Sequence, residues 1–266
     1  MINKSTISKF LRDNNLLFFS DKVRFYVMKF KNRKENAKFK KNHPNIKLPP
    51  DYLIYESFQM KYENYYFGGK NTAIWLKENF EKFITLDNTK ILDWGCGPAR
   101  VIRHFPEILK NAEFFGTDYN QKTIDWDKKH IANVAFNHNT LEAKLPYENK
   151  FFDVIYGISI FTHLSEEKHF EWYHELYRIL KPNGILLLTL QGNAFLSILT
   201  NEEKNIFENG KILIRGNVLE GHRTYSAFHP DDFVKKLFSE MEILDHIPST
   251  NINGKLEQDV WIFRKK

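Results

Sequence analysis

The segment KILDWGCGPAR (residues 90–100) decides the fold. Ile91 and Leu92 open a short apolar run, and the chain then turns through Gly95 and Gly97, so the stretch reads as a strand that delivers a glycine turn just ahead of a helix. Outward from it, AEFFGTDYN (112–120) and VAFNHN (134–139) are further short strands ending in polar residues. FFDVIYGISIF (151–161) and GILLLTLQG (184–192) are apolar runs of the kind buried on both faces of a sheet. Between them Ser165, followed by Glu166 and Glu167, opens a helix whose Tyr173, Leu176, Tyr177 and Leu180 share one face, and Lys181-Pro182-Asn183-Gly184 stops it. DDFVKKLF (231–238) reads as a helix. EILDHI (242–247) and DVWIFR (259–264) read as strands, and the residues between them (248–258) lack a helical pattern, which predicts an antiparallel pair at one edge. Upstream, Ala73, Leu76, Phe80 and Phe83 predict a helix starting near Asn71-Thr72. The alternation predicts an α/β fold, a doubly wound, mainly parallel sheet with helices on both faces and its ligand at the carboxyl ends of the strands.

The glycine turn narrows the ligand. A dinucleotide fingerprint would place a third glycine at position 100, where the chain has Arg100. Asp93 at the strand end would repel a pyrophosphate but suits an ammonium and a sulfonium. Both residues disfavour an NAD oxidoreductase. Asp118 ends the next strand, where an acid accepts hydrogen bonds from both hydroxyls of a ribose. Cys96 reads as a small spacer, Trp94 as packing for the adjoining helix, and Asp153 as an anchor for the start of its strand.

In motif order, roughly residues 66–264 resemble the class I S-adenosylmethionine-dependent methyltransferases. ILDWGCGPAR is similar to their first motif and GTDYN to their acidic second motif. LPYENKFFDVIYGISIFTHL and ELYRILKPNGILLLTL are similar to their central strand, helix and fifth strand. The resemblance implies a Rossmann-like methyltransferase fold with a seven-stranded sheet and an antiparallel edge strand, and S-adenosylmethionine as cofactor. It implies that Asp93, Gly95, Cys96 and Gly97 hold the methionine part, that Asp118 holds the ribose, and that Tyr119 packs on the adenine. Asn139, Thr140 and Leu141 then meet the adenine amino group, and Tyr66 and Gly69 lie where the segment before the first helix closes over the cofactor. LPP before the domain, FTHL and the terminal QDVWIF also resemble bacterial methyltransferases of surface-glycan biosynthesis.

For the acceptor, His163 in FTHL falls just beyond the fourth strand, and an imidazole of pKa about 6.5 suits proton removal from a hydroxyl. The same histidine could instead hydrogen-bond the helix start at Ser165. The segment 192–228 is too long for an ordinary connection and reads as a substrate-covering insertion. It carries Arg215, Glu220, His222, Arg223 and Tyr225, with His229 just after. Glu220 and His222 are candidate catalytic groups beside His163, and Arg215, Arg223, Tyr225 and His229 are candidate acceptor contacts. Within the insertion, LTNEEKNIF (199–207) reads as a cover helix and KILIRGNVL (211–219) as a peripheral strand. No N/D-P-P-Y/F element follows the fourth strand, which argues against base methylation and for transfer to oxygen of a small-molecule or glycan-linked acceptor. The alternatives are an RNA or protein methyltransferase, and a non-catalytic S-adenosylmethionine-binding partner protein.

Composition sets the frame for these readings. With 42% hydrophobic and 27% charged residues over 266, the chain is neither disordered nor fibrous. No apolar window reaches the length a membrane helix needs, and LLFF (16–19) runs at once into SDKVR, unlike a secretory signal, so a cytoplasmic protein is expected. A single cysteine, Cys96, excludes an internal disulfide and a cysteine-built metal site, and no metal is expected. The charge is local: residues 1–43 carry twelve Lys or Arg against three acids, so the rest is slightly acidic. Residues 1–50 are read as a basic helical arm and proline-containing linker (HPNIKLPP, 43–50), and 51–266 as the methyltransferase domain. In the arm, Ile7, Phe10, Leu11 and Phe18 predict one short amphipathic helix, and Ser20-Asp21 with Val23, Val27 and Phe30 a second. The arm's cations suit peripheral contact with an anionic membrane, or simply a solvated helix face, and nucleic acid is the weakest reading because no recognition motif accompanies them.

Overall fold

The computed structural model describes residues 16–57, 60–249, 251–252 and 255–266. Its helices are α1 (Leu17–Asn42), α2 (Asp51–Glu56), α3 (Tyr62–Glu81), α4 (Phe105–Ile108), α5 (Gln121–His130), α6 (Glu166–Ile179), α7 (Asn201–Glu208) and α8 (Asp231–Leu237). The principal strands are β1 (Lys90–Trp94), β2 (Glu113–Asp118), β3 (Ala135–His138), β4 (Phe152–Ile158), β5 (Leu180–Leu190), β8 (Met241–Ile247) and β11 (Asp259–Lys265). These make a seven-stranded sheet in the order β3-β2-β1-β4-β5-β11-β8. Its β1–β2, β2–β3 and β4–β5 pairs are parallel, and β11 runs antiparallel between β5 and β8. The antiparallel edge expected from 242–264 is therefore present. Short ribbons pair β6 (Leu213–Arg215) with β7 (Ser226–Phe228) and β9 (Asn251–Ile252) with β10 (Lys255–Leu256). No described helix is long and apolar enough to cross a membrane. The chain divides into two compact units, one of residues 19–140 and the other, among the described residues, of 16–18 and 141–266.

In the unit of 19–140, the arm departs from its sequence pattern. Ile7, Phe10 and Leu11 lie outside the described residues. The rest forms one long helix rather than a short one capped at Ser20-Asp21, and Val23, Val27 and Phe30 are exposed. The docked face is Asp21, Phe25, Asn32, Asn36 and Phe39. Phe25 packs with Tyr55 and Met60, and Phe39 with Ile54, Tyr62 and Tyr65. Polar bonds complete this face. Tyr55 Oη donates to an Asp21 carboxylate oxygen (2.8 Å), Asn36 Nδ2 donates to Met60 O (3.1 Å), and Tyr62 N donates to Asn36 Oδ1 (3.0 Å). Each bond lets a polar side chain leave water without an orphaned group.

Helix α3 begins nine residues before the Asn71 start read from the apolar spacing, because Tyr62, Tyr65 and Gly69 continue the stripe of Ala73, Leu76 and Phe80, and it ends before Phe83. Tyr66 and Gly69, expected in the segment before the first helix, therefore lie inside it, and Gly69 allows a close approach: a Cβ there would lie 2.0 Å from Arg100 O. Tyr65 Oη also donates to Pro98 O, so α3 grips the turn after β1.

In the unit of 141–266, the middles of β4 and β5 are buried: Val154, Ile155 and Tyr156 against Ile185 through Leu188, all at or near zero exposure. Ser165 caps α6 by accepting from Lys168 N, as its sequence predicts. The Lys181–Gly184 stop is built into the strand instead of ahead of it: β5 begins at Leu180, opposite Phe152, and pairing resumes with Ile185 opposite Val154. Lys181 Nζ closes this irregularity on both carboxylate oxygens of Asp153 (2.8 Å each).

The two glycines of α3 give a paired prediction. Gly69→Ala is expected to lower unfolding stability by about 1–3 kcal/mol, the cost of forcing backbone apart at an overpacked site. Gly68→Ala, whose Cβ meets nothing within 4 Å, should raise it by about 0.5–1 kcal/mol. Urea denaturation of the two variants against the parent chain measures both.

Candidate active site

The site in the unit of 19–140 is built by the turn after β1. Gly95 N and Cys96 N both donate to Thr117 O (2.8 Å each), and Gly97 N donates to an Asp118 carboxylate oxygen (3.0 Å). The turn therefore hangs on the end of β2. Gly95 (φ +74°) and Gly97 (φ +49°) lie in left-handed backbone, which glycine adopts without a Cβ clash. A Cβ at Gly97 would meet nothing within 4 Å, so the turn borders open space. The second Asp118 oxygen accepts from Asn120 N (2.8 Å). Burial raises the Asp118 pKa, while these backbone donors and His138 oppose the shift. Each oxygen retains acceptor capacity for a ligand hydroxyl.

Around this carboxylate the expected residues take distinct places. Asp93 is buried at the end of β1, and Cys96 is buried with its thiol pushed well up by loss of solvent, which suits a spacer. Tyr119 is partly exposed. Asn139 N continues the β2–β3 pairing by donating to Asp118 O (3.1 Å), and its Nδ2 donates to Thr140 O (2.7 Å). That leaves Asn139 Oδ1 buried without a partner. Thr140 is exposed. Tyr66 packs edge-on against His104 (4.8 Å between ring centroids), under the Arg103 guanidinium.

Two residues of this unit escape sequence reading. Tyr65 supports the turn from α3, and only its place on the α3 stripe could have marked it. Asp127 is fully buried on the inner face of α5 beside Thr123 and Ile124, and neither carboxylate oxygen has a hydrogen-bond partner. Burial, with the neighbouring charges of Asp118 and Asp93, pushes its pKa up to about 9 against the pull of Arg103. A carboxylate on a core-facing stripe was the available signal.

The acceptor candidates lie in the unit of 141–266. His163 follows β4 and is tied to the insertion by two contacts: its Nδ1 is 2.8 Å from Tyr225 O, and its carbonyl accepts from Gly221 N (2.9 Å). A ring nitrogen facing a carbonyl carries the proton, so the neutral ring holds its lone pair on Nε2. Burial lowers its pKa. The helix start that His163 could have bonded is taken by Glu220, whose carboxylate accepts from Ser165 N (2.6 Å). His222 Nδ1 bonds Thr224 Oγ1 (2.9 Å), and Arg223 is half-buried on the same turn. Tyr225 is buried.

Arg215 and His229 are engaged by other partners. Arg215 is paired with Glu203 (2.7 and 2.8 Å), bonds Ile198 O (3.1 Å) and lies over the Phe228 ring (5.0 Å). His229 is buried, with Nε2 2.9 Å from His169 Nε2. Because His169 Nδ1 faces Ser165 O (2.7 Å), it is the donor there, so His229 Nε2–H donates to His169. Loss of solvent keeps both rings neutral, His169 at about 4 and His229 well below its ordinary value.

Comparison with known proteins agrees with this architecture. Residues 91–184 match the family described as a methyltransferase domain. The tRNA N(3)-methylcytidine methyltransferase of Schizosaccharomyces pombe is 26% identical over 185 residues, which are 64% of this chain and 58% of that protein. The ubiquinone biosynthesis O-methyltransferase of Bartonella tribocorum is 31% identical over 105 residues, 38% of this chain and 41% of that protein. The chain spans about half the length of these curated relatives. A crystal structure of a SAM-dependent methyltransferase from Methanosarcina mazei superposes with a TM-score of 0.54 at 16% identity, covering 70% of this chain and 96% of that one, and shares the fold. The resemblance to class I S-adenosylmethionine-dependent methyltransferases drawn from ILDWGCGPAR and GTDYN is borne out.

The buried Asp127 sets a pH dependence. Its folded pKa lies above the unfolded value, so its contribution to stability is complete below the ordinary carboxyl pKa and is lost as pH rises towards about 9. Asp127→Asn is therefore expected to be more stable than the parent at neutral pH. The difference should widen by up to about 1.4 kcal/mol per pH unit until it levels off. Thermal melts across this range read the widening directly.

Proposed function

We propose that this chain, which carries a methyltransferase domain, transfers the methyl group of S-adenosylmethionine to an oxygen of a small-molecule or glycan-linked acceptor in the cytoplasm. The observation that carries the reading is the turn at Gly95–Gly97 suspended from the Asp118 carboxylate beside open space. The residues fit the cofactor. Asp93 suits a cationic ligand, Asp118 has acceptor capacity for ribose hydroxyls, and the unpartnered Asn139 Oδ1 suits an amino donor. Bound there, S-adenosylmethionine supplies an electrophilic methyl on a sulfonium.

The chain's own part is to align the acceptor, exclude water and take a proton. His163 Nε2 is the proposed base, which would take the proton of an acceptor hydroxyl when the bound cofactor supplies its methyl group. Glu220 then serves through the α6 start, and Tyr225 through its carbonyl, to orient that ring and the loop of His222 and Arg223. The O-methyltransferase named among the relatives and ISIFTHL in place of an N/D-P-P-Y/F element support transfer to oxygen. The tRNA methyltransferase relative favours RNA as the second reading. Methylation of tRNA by the purified chain, with none of hydroxylated small molecules or glycans, would decide for RNA.

Asp118→Ala is expected to weaken S-adenosylmethionine and S-adenosylhomocysteine about 10- to 100-fold, the loss of charge-assisted hydrogen bonds. Unchanged affinity by calorimetry would overturn the cofactor site. His163→Ala should cut turnover about 100-fold at unchanged cofactor affinity. In the parent chain, turnover should persist to pH values below the 6.5 of an ordinary imidazole, since the buried ring stays neutral there. A pH–rate profile of kcat tests that limb.

A further inference from the structure

Helix α1 has two apolar faces, and only one is used. Phe25 and Phe39 on its inner face are packed into the unit of 19–140, at 8% and 6% exposure. On the opposite side, Phe19, Val23, Tyr26, Val27 and Phe30 are 68, 46, 67, 59 and 65% exposed. Their spacing of 4, 3, 1 and 3 places all five on one stripe of a helix with 3.6 residues per turn. By the same geometry that stripe lies about 180° around the helix from the docked residues Asp21, Phe25 and Asn32. Propensity and docking of the inner face do not require these large side chains, because small polar residues would serve a solvent-facing helix.

The charge around the stripe is one-sided in sign. Between Leu17 and Asn42 the helix carries nine Lys or Arg against Asp21 and Glu35. Lys22 and Arg33 lie along one flank of the stripe, Arg24, Lys31 and Lys38 along the other, and Lys34 and Lys41 continue the face beyond Phe30; all are exposed. The Arg33 guanidinium lies over the Phe30 ring, 3.8 Å from its centroid.

From this juxtaposition we propose that the outward face of α1 docks the protein on an anionic lipid membrane, with the five apolar side chains in the headgroup–acyl boundary and the flanking cations on lipid phosphates. An apolar stripe edged on both sides by Lys and Arg is the pattern of a helix lying in a membrane interface. A second copy of the chain would bring two cationic flanks together across the stripe, which opposes self-association. RNA would engage the cations, but Val23 and Val27 offer a base no face to stack on. The docking is independent of the methyl-transfer reading.

The test uses the full chain and its Val23→Glu/Phe30→Glu variant, both positions being exposed so that the fold is kept, which circular dichroism and an unchanged melting temperature verify. Co-sedimentation is measured with vesicles of phosphatidylcholine alone and of phosphatidylcholine mixed with phosphatidylglycerol. Expected are binding to the mixed vesicles, weakening with added salt, and at least about tenfold weaker binding by the variant. Absence of binding to mixed vesicles, equal binding to both vesicle types, or binding that the variant retains overturns the proposal. Self-association or tRNA binding that the variant abolishes, in a chain that ignores vesicles, would overturn it too and assign the stripe to that partner.

Discussion

The Asp118 carboxylate holds the centre of the 19–140 unit together by accepting two backbone N–H groups. One belongs to Gly97 in the turn after β1 and the other to Asn120 at the start of α5. Thr117 O takes two more N–H groups from the same turn. Three of these donors, Gly95 N, Cys96 N and Gly97 N, fix the turn to the end of one strand in a shape that needs left-handed backbone at Gly95 and Gly97. From the other side, Tyr65 and the bare Cα of Gly69 bring α3 against Pro98 and Arg100. The turn is clamped between a strand and a helix, so its rigidity precedes any ligand.

That order is bought with electrostatic tension. Asp93, Asp118 and Asp127 are all buried in this unit, and burial raises the pKa of the latter two. Like charges out of water repel, and each favours the neutral acid. A cation placed among these groups would offset both effects at once. Cys96, enclosed by the same groups, is kept a thiol and contributes volume rather than chemistry.

Most of the sheet was legible because its strands are extreme in composition: VIY (154–156) and ILLLTL (185–190) leave no solvent-facing alternative, and the glycine turn marks β1, although the apolar run after β4 overshoots, since the strand ends at Ile158 and Ser159 turns away in left-handed backbone. The arm was misread for a physical reason. Hydrophobic spacing picked out Val23, Val27 and Phe30, whereas the docked face is partly built from Asp21, Asn32 and Asn36, whose burial depends on bonds to Tyr55, Met28 and Met60 contributed by the helix's own turn or by residues far along the chain. The Lys181–Gly184 stop was legible as an interruption, but not as a bulge closed on Asp153. In the site, the residues on strand ends could be placed from sequence, since strand ends are fixed by the pattern. Insertion residues could not: Glu220 at the α6 cap and Arg215 on Glu203 are settled by tertiary partners that no local spacing encodes.

The Arg215–Glu203 pair has a consequence for how this protein can change over generations. It joins β6 to the capping-boxed helix α7, with Leu199, Phe207, Leu213 and Phe228 packed beneath as a small core of their own. The loop of residues 216–225 thus springs from a ribbon braced at both feet. Variation over generations falls most freely on the exposed Asn217 and Leu219, whereas Glu220, Gly221 and Tyr225 are held by their bonds to Ser165 and His163 and must be inherited together with them.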